Sequence, residues 1–267
     1  NPVSRTRRLL YGRRKGPKLS PHKEELRRTL LPVLALRLEQ GADPRSYFSP
    51  PPGGEVDPAK RGEAGSGGGT GNCVDDVWLE IGFGSGEHLL ELARANPGVG
   101  LIGAEPYEAG VAKLLSKIEQ EFSSPVHGGG AAEGGGGGTN IRIHEGDGRD
   151  IVEALPDASL GRVFLLFPDP WPKTRHHKRR FVQTAMLDAL ARVMKQGAEL
   201  RIASDDAAYV EWTLERLMAH PDFAWTARSA ADWNTRPSGW PQTRYEAKAL
   251  HGPPAYLLFV RKGKMAP

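Results

Sequence analysis

A chain of 267 residues that is 39% hydrophobic and 25% charged can bury one sizeable core with appendages, and is neither a low-complexity polymer nor a membrane bundle. Its 36 Lys and Arg against 32 Asp and Glu leave a formal charge of +4, but the cations concentrate near the N-terminus and after Trp171, which suits a polyanionic partner. The single cysteine, Cys73, excludes an intrachain disulfide.

Taken in order, the chain starts basic. Up to about Gln40, the cations Arg5, Arg7, Arg8, Arg13, Arg14, Lys15, Lys18, Lys23, Arg27 and Arg28 greatly outnumber Glu24, Glu25 and Glu39. They form a solvated arm or one that neutralises phosphates, and the second basic cluster favours phosphate. The twin arginines Arg7 and Arg8 are followed by no long apolar core with a cleavage site, and the stretch Leu30–Leu36, interrupted by Pro32, is too short to span a bilayer, so a cytoplasmic protein is expected. Leu26, Leu30, Val33 and Leu34 share one face of a predicted helix over Glu24–Leu38, which Pro32 opposes. Pro50–Gly71 is rich in Pro, Gly and Ser, so residues 1–73 are expected to be an arm and flexible linker ahead of a domain over 74–267.

In that domain strands and helices alternate. Val77–Ile81 predicts a strand, Gly82–Gly86 a tight turn and Glu87–Ala95 a helix; Val99–Ala104 predicts a second strand, and Tyr107–Phe122 a helix that turns Val111, Leu114, Leu115 and Ile118 inward. The near-continuous glycine and alanine of 128–138 predict a disordered insertion, because glycine loses the most entropy on ordering. Further strands are predicted at Asn140–His144, Gly161–Phe167, Ala198–Ala203 and Ala255–Val260, with helices at Asp150–Leu155, Phe181–Met194 and Ala207–Met218. The pattern is α/β, a doubly wound sheet.

Two stretches carry chemistry. Gly82, Gly84 and Gly86, at alternate positions after a strand, allow a sharp turn and the close approach of a ligand. Glu105 ends the next strand, where a carboxylate can accept from ribose hydroxyls, and together with Glu80 it favours an adenosine-containing cofactor. Glu80 beside the turn disfavours a pyrophosphate and favours a cationic sulfonium carrying an amino acid, as in S-adenosylmethionine. Asp147 either binds an adenine amine or is simply a turn-forming Asp between glycines.

The second stretch is Phe167–Arg180. Asp169 leaves the carboxyl end of a strand between Pro168 and Pro170, beside Trp171 and ahead of Lys173, Arg175, Lys178, Arg179 and Arg180. The prolines are expected to hold the exit extended. The cations precede a predicted helix, whose dipole disfavours them there, so they are expected to bind RNA backbone phosphates. Trp171 either stacks on a base or fills a pocket wall. His176 and His177 have no further ligands at metal spacing, and no metal is expected.

Leu79–Gly86 resembles the first motif of class I S-adenosylmethionine-dependent methyltransferases. Phe167–Lys173 with Arg175–Arg180, then Ala203-Ser-Asp205 and Thr243-Arg-Tyr-Glu246, resembles the bacterial tRNA (guanine-N7)-methyltransferase family, from about Trp78 to Lys262. The resemblance implies a Rossmann-like, mostly parallel sheet with an antiparallel last strand. It also implies cofactor contacts from Glu80, the glycine turn, Glu105, Asp147 and Asp169, and substrate contacts from Lys173, Asp205 or its neighbour Asp206, Thr243, Arg244, Tyr245 and Glu246. The implied reaction is methyl transfer to N7 of a guanosine in the variable loop of tRNA. Arg244 and two glycine-rich insertions depart from the family pattern. Because N7 carries an in-plane lone pair and no proton, no general base is needed, and Asp169 is expected to orient guanine and stabilise cationic charge. The rival readings are another base methyltransferase, such as one acting on an exocyclic adenine amine, a non-catalytic tRNA-binding protein on the same fold, and an NAD-dependent dehydrogenase, which Glu80 disfavours. Monomer and homodimer are both compatible with the sequence.

Overall fold

Val77, Trp78, Leu79, Glu80 and Ile81 are all buried, as expected of a strand covered on both faces rather than one. This strand lies in the interior of the sheet of the computed structural model, which describes residues 16–48, 74–122, 139–243, 245–248 and 252–263. The basic residues up to Lys15, Cys73, the stretch 50–71, the glycine-rich 128–138 and Arg244 lie outside the described residues.

Seven strands form one sheet: β1 (Asp76–Ile81), β2 (Val99–Ala104), β3 (Ile141–His144), β4 (Leu160–Leu166), β5 (Met194–Ser204), β6 (Phe223–Trp225) and β7 (Ala255–Arg261), in the order β3-β2-β1-β4-β5-β7-β6. The first five are parallel, and β7 runs antiparallel to both β5 and β6. The chain winds outward from β1 to β3, then returns to lay β4 on the other side of β1. Strand order therefore reverses between β1 and β4, and a crevice opens above their carboxyl ends, the place where such sheets bind ligands. The sequences that leave these two ends are the glycine turn and the Asp169 segment.

The helices are α1 (Pro21–Thr29), α2 (Leu31–Leu34), α3 (Glu87–Ala95), α4 (Glu108–Phe122), α5 (Gly148–Ala154), α6 (Thr184–Val193), α7 (Ala207–Ala219) and α8 (Ala231–Asn234). Side-chain alternation along β1 divides the core. Val77, Leu79 and Ile81 face a cluster with Ile151 of α5, Leu187 and Leu190 of α6 and Leu217 of α7. Trp78 faces the other, with Leu89 and Leu92 of α3 and Leu114, Leu115 and Ile118 of α4. Among the described residues no helix is long and apolar enough to cross a membrane.

The segment before the sheet is packed on it. Ser20 caps α1 by accepting from Lys23 N, and Pro21 starts the helix where its missing N–H costs nothing. The continuous helix predicted over Glu24–Leu38 is interrupted at Leu30, α2 carries Pro32 in its first turn, and Ala35 is already extended. Ala35 bridges Ile143 in parallel and Leu36 N donates to Ile143 O at 2.8 Å, so the chain covers the open edge of β3. Leu26 and Leu34 enter the core, while Arg27 pairs with Glu108 and, at 2.8 Å, with Glu145.

Two other boundaries shift, and one strand was not expected. The helix predicted from Phe181 begins only at Thr184, because Thr174–Arg179 forms a separate 3-10 turn and buried Phe181 and Val182 connect the two. The strand predicted from Ala198 starts at Met194, and β6, only three residues long, pairs solely with β7.

Candidate active site at the strand switch point

The turn after β1 depends on backbone conformations that side chains disfavour: φ is 76° at Gly82, 57° at Gly84 and 76° at Gly86. Gly86 opens α3 so close to α4 that an added Cβ would lie 2.6 Å from the Leu114 side chain. Glu105 holds the turn, its Oε2 accepting from Gly84 N and its Oε1 from Tyr107 N, both at 2.8 Å. Burial raises the pKa of Glu105; the two N–H groups oppose this, and the charges of Asp169 and Glu80 add to the rise. Glu80, Glu105 and Asp169, three of the acids expected from the sequence, thus create a negative field, and added positive charge would relieve it.

A cavity of about 290 Å³ opens beside the turn, lined by Glu80, Gly82, Phe83, Gly84, Ser85, Glu87, His88, Lys113, Leu166, Phe167, Thr243 and Tyr245. An added Cβ at Gly82 or Gly84 would meet no protein atom within 4 Å, so the turn faces open space. Glu80 is buried and accepts from His88 Nδ1 at 2.9 Å. Lys113 projects from α4 without an ion pair to any described residue, a cation in an acidic cavity. Sequence reading passed over both His88 and Lys113. The available signal was geometric: a strand, tight turn and helix fold position 88 back onto position 80.

Asp147 is buried, but its carboxylate is engaged: it caps α5 by accepting from Arg149 N at 3.0 Å and pairs with Arg149 Nη1 at 3.0 Å. Arg149 Nη2 continues to the carbonyls of Arg179 and Arg180, at 3.2 and 3.4 Å. This guanidinium ties the end of the basic turn to the Asp147 carboxylate.

The exit from β4 is not extended as the prolines suggested. Phe167 and Trp171, each followed by proline, have φ of 49° and 46°, a conformation rare for aromatic residues. Tertiary contacts impose it: the Phe167 ring lies 5.2 Å from Tyr245, and Trp171 sits beneath the Arg179 guanidinium at 4.9 Å and edge-on to His176 at 5.9 Å. Between them Asp169 stands solvent-exposed, although the surrounding walls displace enough water to push its pKa upward.

The basic run does not act as one unit. Lys173, Arg175 and Lys178 are exposed, whereas Arg180 is only 2% exposed. Its Nε donates to Pro170 O at 2.8 Å and its guanidinium lies 4.8 Å from the centre of the Trp212 ring. The expectation that Arg180 contacts RNA phosphate is therefore corrected: Arg180 braces the Asp169 loop from inside. The run forms its own 3-10 turn rather than the first turn of α6, and Gln183 at the start of α6 donates from Nε2 to His177 O at 2.7 Å. Desolvation, and then Arg179, Arg175, Lys173 and Lys178, lower the pKa of His176, marking a concentrated positive patch. Arg180→Met is expected to destabilise the protein by about 1–3 kcal/mol, through the unpaired Pro170 carbonyl, and to lower Tm; an unchanged Tm would refute the bracing role.

Thr243–Glu246 is a capping box. Glu246 N donates to Thr243 Oγ1 at 3.0 Å and Thr243 N to Glu246 Oε2 at 3.4 Å. Glu246 also accepts from the Tyr256 hydroxyl of β7, so it anchors the loop rather than standing free in the cavity. The anchored loop presents Thr243 and Tyr245 to the cavity. Desolvation, then the charges of Asp205, Asp169 and Asp206, raise the Tyr245 pKa, which puts the phenol among these carboxylates. Asp206 caps α7 by accepting from Tyr209 N at 2.7 Å, and Asp205 has the larger influence on Tyr245. Among the described residues no group of three or more His, Cys, Asp or Glu side chains is arranged to hold a metal ion.

Comparison with known proteins agrees with this geometry. The family model described as "Putative methyltransferase" matches residues 75–255. The chain is 45% identical over 263 residues to the tRNA (guanine-N(7)-)-methyltransferase of Rhodospirillum rubrum, covering 96% of this chain and 89% of that protein. It is 41% identical over 255 residues to the protein of the same name from Paramagnetospirillum magneticum, covering 95% and 93% of the two chains. With an acid-lined glycine turn at the switch point, Asp169 at the neighbouring strand end and this identity along nearly the whole length, the chain belongs to the tRNA (guanine-N(7)-)-methyltransferase family.

Proposed function

We propose that the protein transfers the methyl group of S-adenosylmethionine to N7 of a guanosine in tRNA, in the variable loop. The observation that carries this reading is one juxtaposition: a cavity lined by Glu80, the glycine turn and Tyr245, with the Asp169 charge near enough to raise the Tyr245 pKa and exposed cations following Asp169 along the chain.

The residues present fit the donor. The open glycine turn admits close approach, Glu80 suits an ammonium, Lys113 suits a carboxylate, and Glu105, which holds the turn, would accept from ribose hydroxyls through lone pairs that Gly84 and Tyr107 leave unused. Asp147 remains the candidate for the adenine amine, through lone pairs not used by Arg149. When bound, S-adenosylmethionine supplies a methyl group activated by a positively charged sulfur.

The protein's task is then to place guanine and accommodate charge, since an acceptor nitrogen with a free lone pair has no proton to lose. Asp169, fixed between two strained residues, accepts hydrogen bonds from the guanine edge and keeps negative charge beside the purine as it becomes cationic. Tyr245 and Phe167 form an aromatic wall, with Asp205 beside it. Lys173, Arg175, Lys178 and Arg179 hold the tRNA backbone at the mouth.

Incubation with S-adenosylmethionine labelled in the methyl group is expected to label unmodified tRNA; no incorporation would overturn the reading. Lys113→Met is expected to weaken S-adenosylhomocysteine binding about tenfold to a hundredfold in calorimetry, because a charge-assisted contact is lost. An unchanged dissociation constant would remove Lys113 from the site.

A further inference from the structure

His88 makes a choice that packing alone does not explain. It lies in the first turn of α3, followed by Leu89 and Leu90, with its ring edge-on to Phe164 at 5.0 Å. Its side chain is 2% exposed and that of Glu80 3%. A carboxylate can only accept, so the 2.9 Å contact is an N–H donated from Nδ1 to Glu80 Oε2. The other ring nitrogen, Nε2, is buried without a hydrogen-bond partner among the described residues. A leucine would fill the same interior without stranding a polar atom, and buried orphan groups are rare because they are costly. Among the described residues, the one polar contact the imidazole makes is with a carboxylate lining the cavity.

We infer that His88 is a positioning residue: by fixing Oε2 it sets the Glu80 carboxylate to receive the α-ammonium group of the ligand's amino-acid end. The inference rests on the methyl-donor reading and goes beyond it by dividing the cavity's labour. Glu105 and the glycine turn serve the adenosine end, whereas the Glu80–His88 pair reads whether an amino acid is attached. A flexible buried carboxylate would be free to turn toward either the ligand or the neighbouring backbone. The single donated N–H removes that freedom before the ligand arrives.

The test uses two ligands that share the adenosine thioether and differ in the amino acid: S-adenosylhomocysteine, which carries it, and 5′-methylthioadenosine, which lacks it. Dissociation constants are measured by calorimetry, with competition for the weaker ligand, on the full chain and on His88→Leu and His88→Asn, whose melting temperatures are recorded first. His88→Leu is expected to weaken S-adenosylhomocysteine about tenfold and to change methylthioadenosine less than about twofold. His88→Asn, whose amide nitrogen occupies the Nδ1 position, is expected to recover most of the lost affinity. Equal losses for both ligands in His88→Leu, no loss for either, or no recovery in a folded His88→Asn would overturn the positioning role. If the unmodified protein binds neither ligand, the donor reading itself fails, and this inference fails with it.

Discussion

Asp169→Ala is expected to lower methyl transfer to tRNA by about a hundredfold to a thousandfold, the usual consequence of removing one preorganised charge from a reacting centre. The fold should survive, because Asp169 is exposed and the loop around it is held by Arg180, Phe167 and Trp171 rather than by its own carboxylate. Asp169→Asn is the sharper comparison: it keeps a hydrogen-bonding group of nearly the same shape and loses the charge, so an intermediate rate separates orientation from electrostatics. The pH profile follows from the same group. Crowding raises the pKa of Asp169, the ionised form is the active one, and activity should fall as pH drops through a value above the ordinary carboxylate range. That acid limb should vanish in Asp169→Asn. A variant that turns over at the wild-type rate with an unaltered profile would remove Asp169 from the mechanism.

The second large effect concerns the RNA grip. Arg175→Gln combined with Lys178→Gln is expected to weaken tRNA binding by about tenfold to a hundredfold at moderate salt, and to reduce the slope of log affinity against log salt by about 1.5. Both side chains are exposed on the 3-10 turn, so Tm should hardly move. Arg180→Met predicts the reverse signature, with a lower Tm and a salt slope near wild type, because its guanidinium faces Trp212 and Tyr209 rather than solvent. Measuring slope and Tm for both variants separates cations that meet phosphate from the one that supports the loop. An unaltered slope in the double variant would count against the phosphate reading.

Much of this was legible in the sequence because it depends on local pattern. The order of strand, glycine turn and helix over 77–95 follows from hydrophobic periodicity and from glycines at alternate positions, and the structure reproduces it nearly residue for residue. The acids Glu80 and Glu105 stand out in the sequence because one lies just inside the end of a strand, beside the glycine turn, and the other just after the next strand. What escaped was set mostly by distant partners. Arg180 looks like its neighbours in sequence, and only α7, some thirty residues later, supplies the rings that bury it. Ala35 and Leu36 leave the helical pattern because the open edge of β3, more than a hundred residues on, offers hydrogen bonds. Phe167 defies the preference of residues before proline where its ring meets the distant Tyr245, and Trp171 does so where it packs on its near neighbours His176 and Arg179. Glu246 is a different case: a threonine followed three positions later by glutamate is a local capping signal, overlooked in favour of a substrate contact.

The most direct test identifies the product. Unmodified tRNA is incubated with the protein and S-adenosylmethionine, digested to nucleosides and resolved by mass spectrometry against standards. The expected result is 7-methylguanosine, appearing in wild-type reactions and strongly reduced with Asp169→Ala. A methylated adenosine, or a methylguanosine other than the N7 isomer, would contradict guanine N7 as the acceptor, and with it the guanine-orienting role assigned to Asp169.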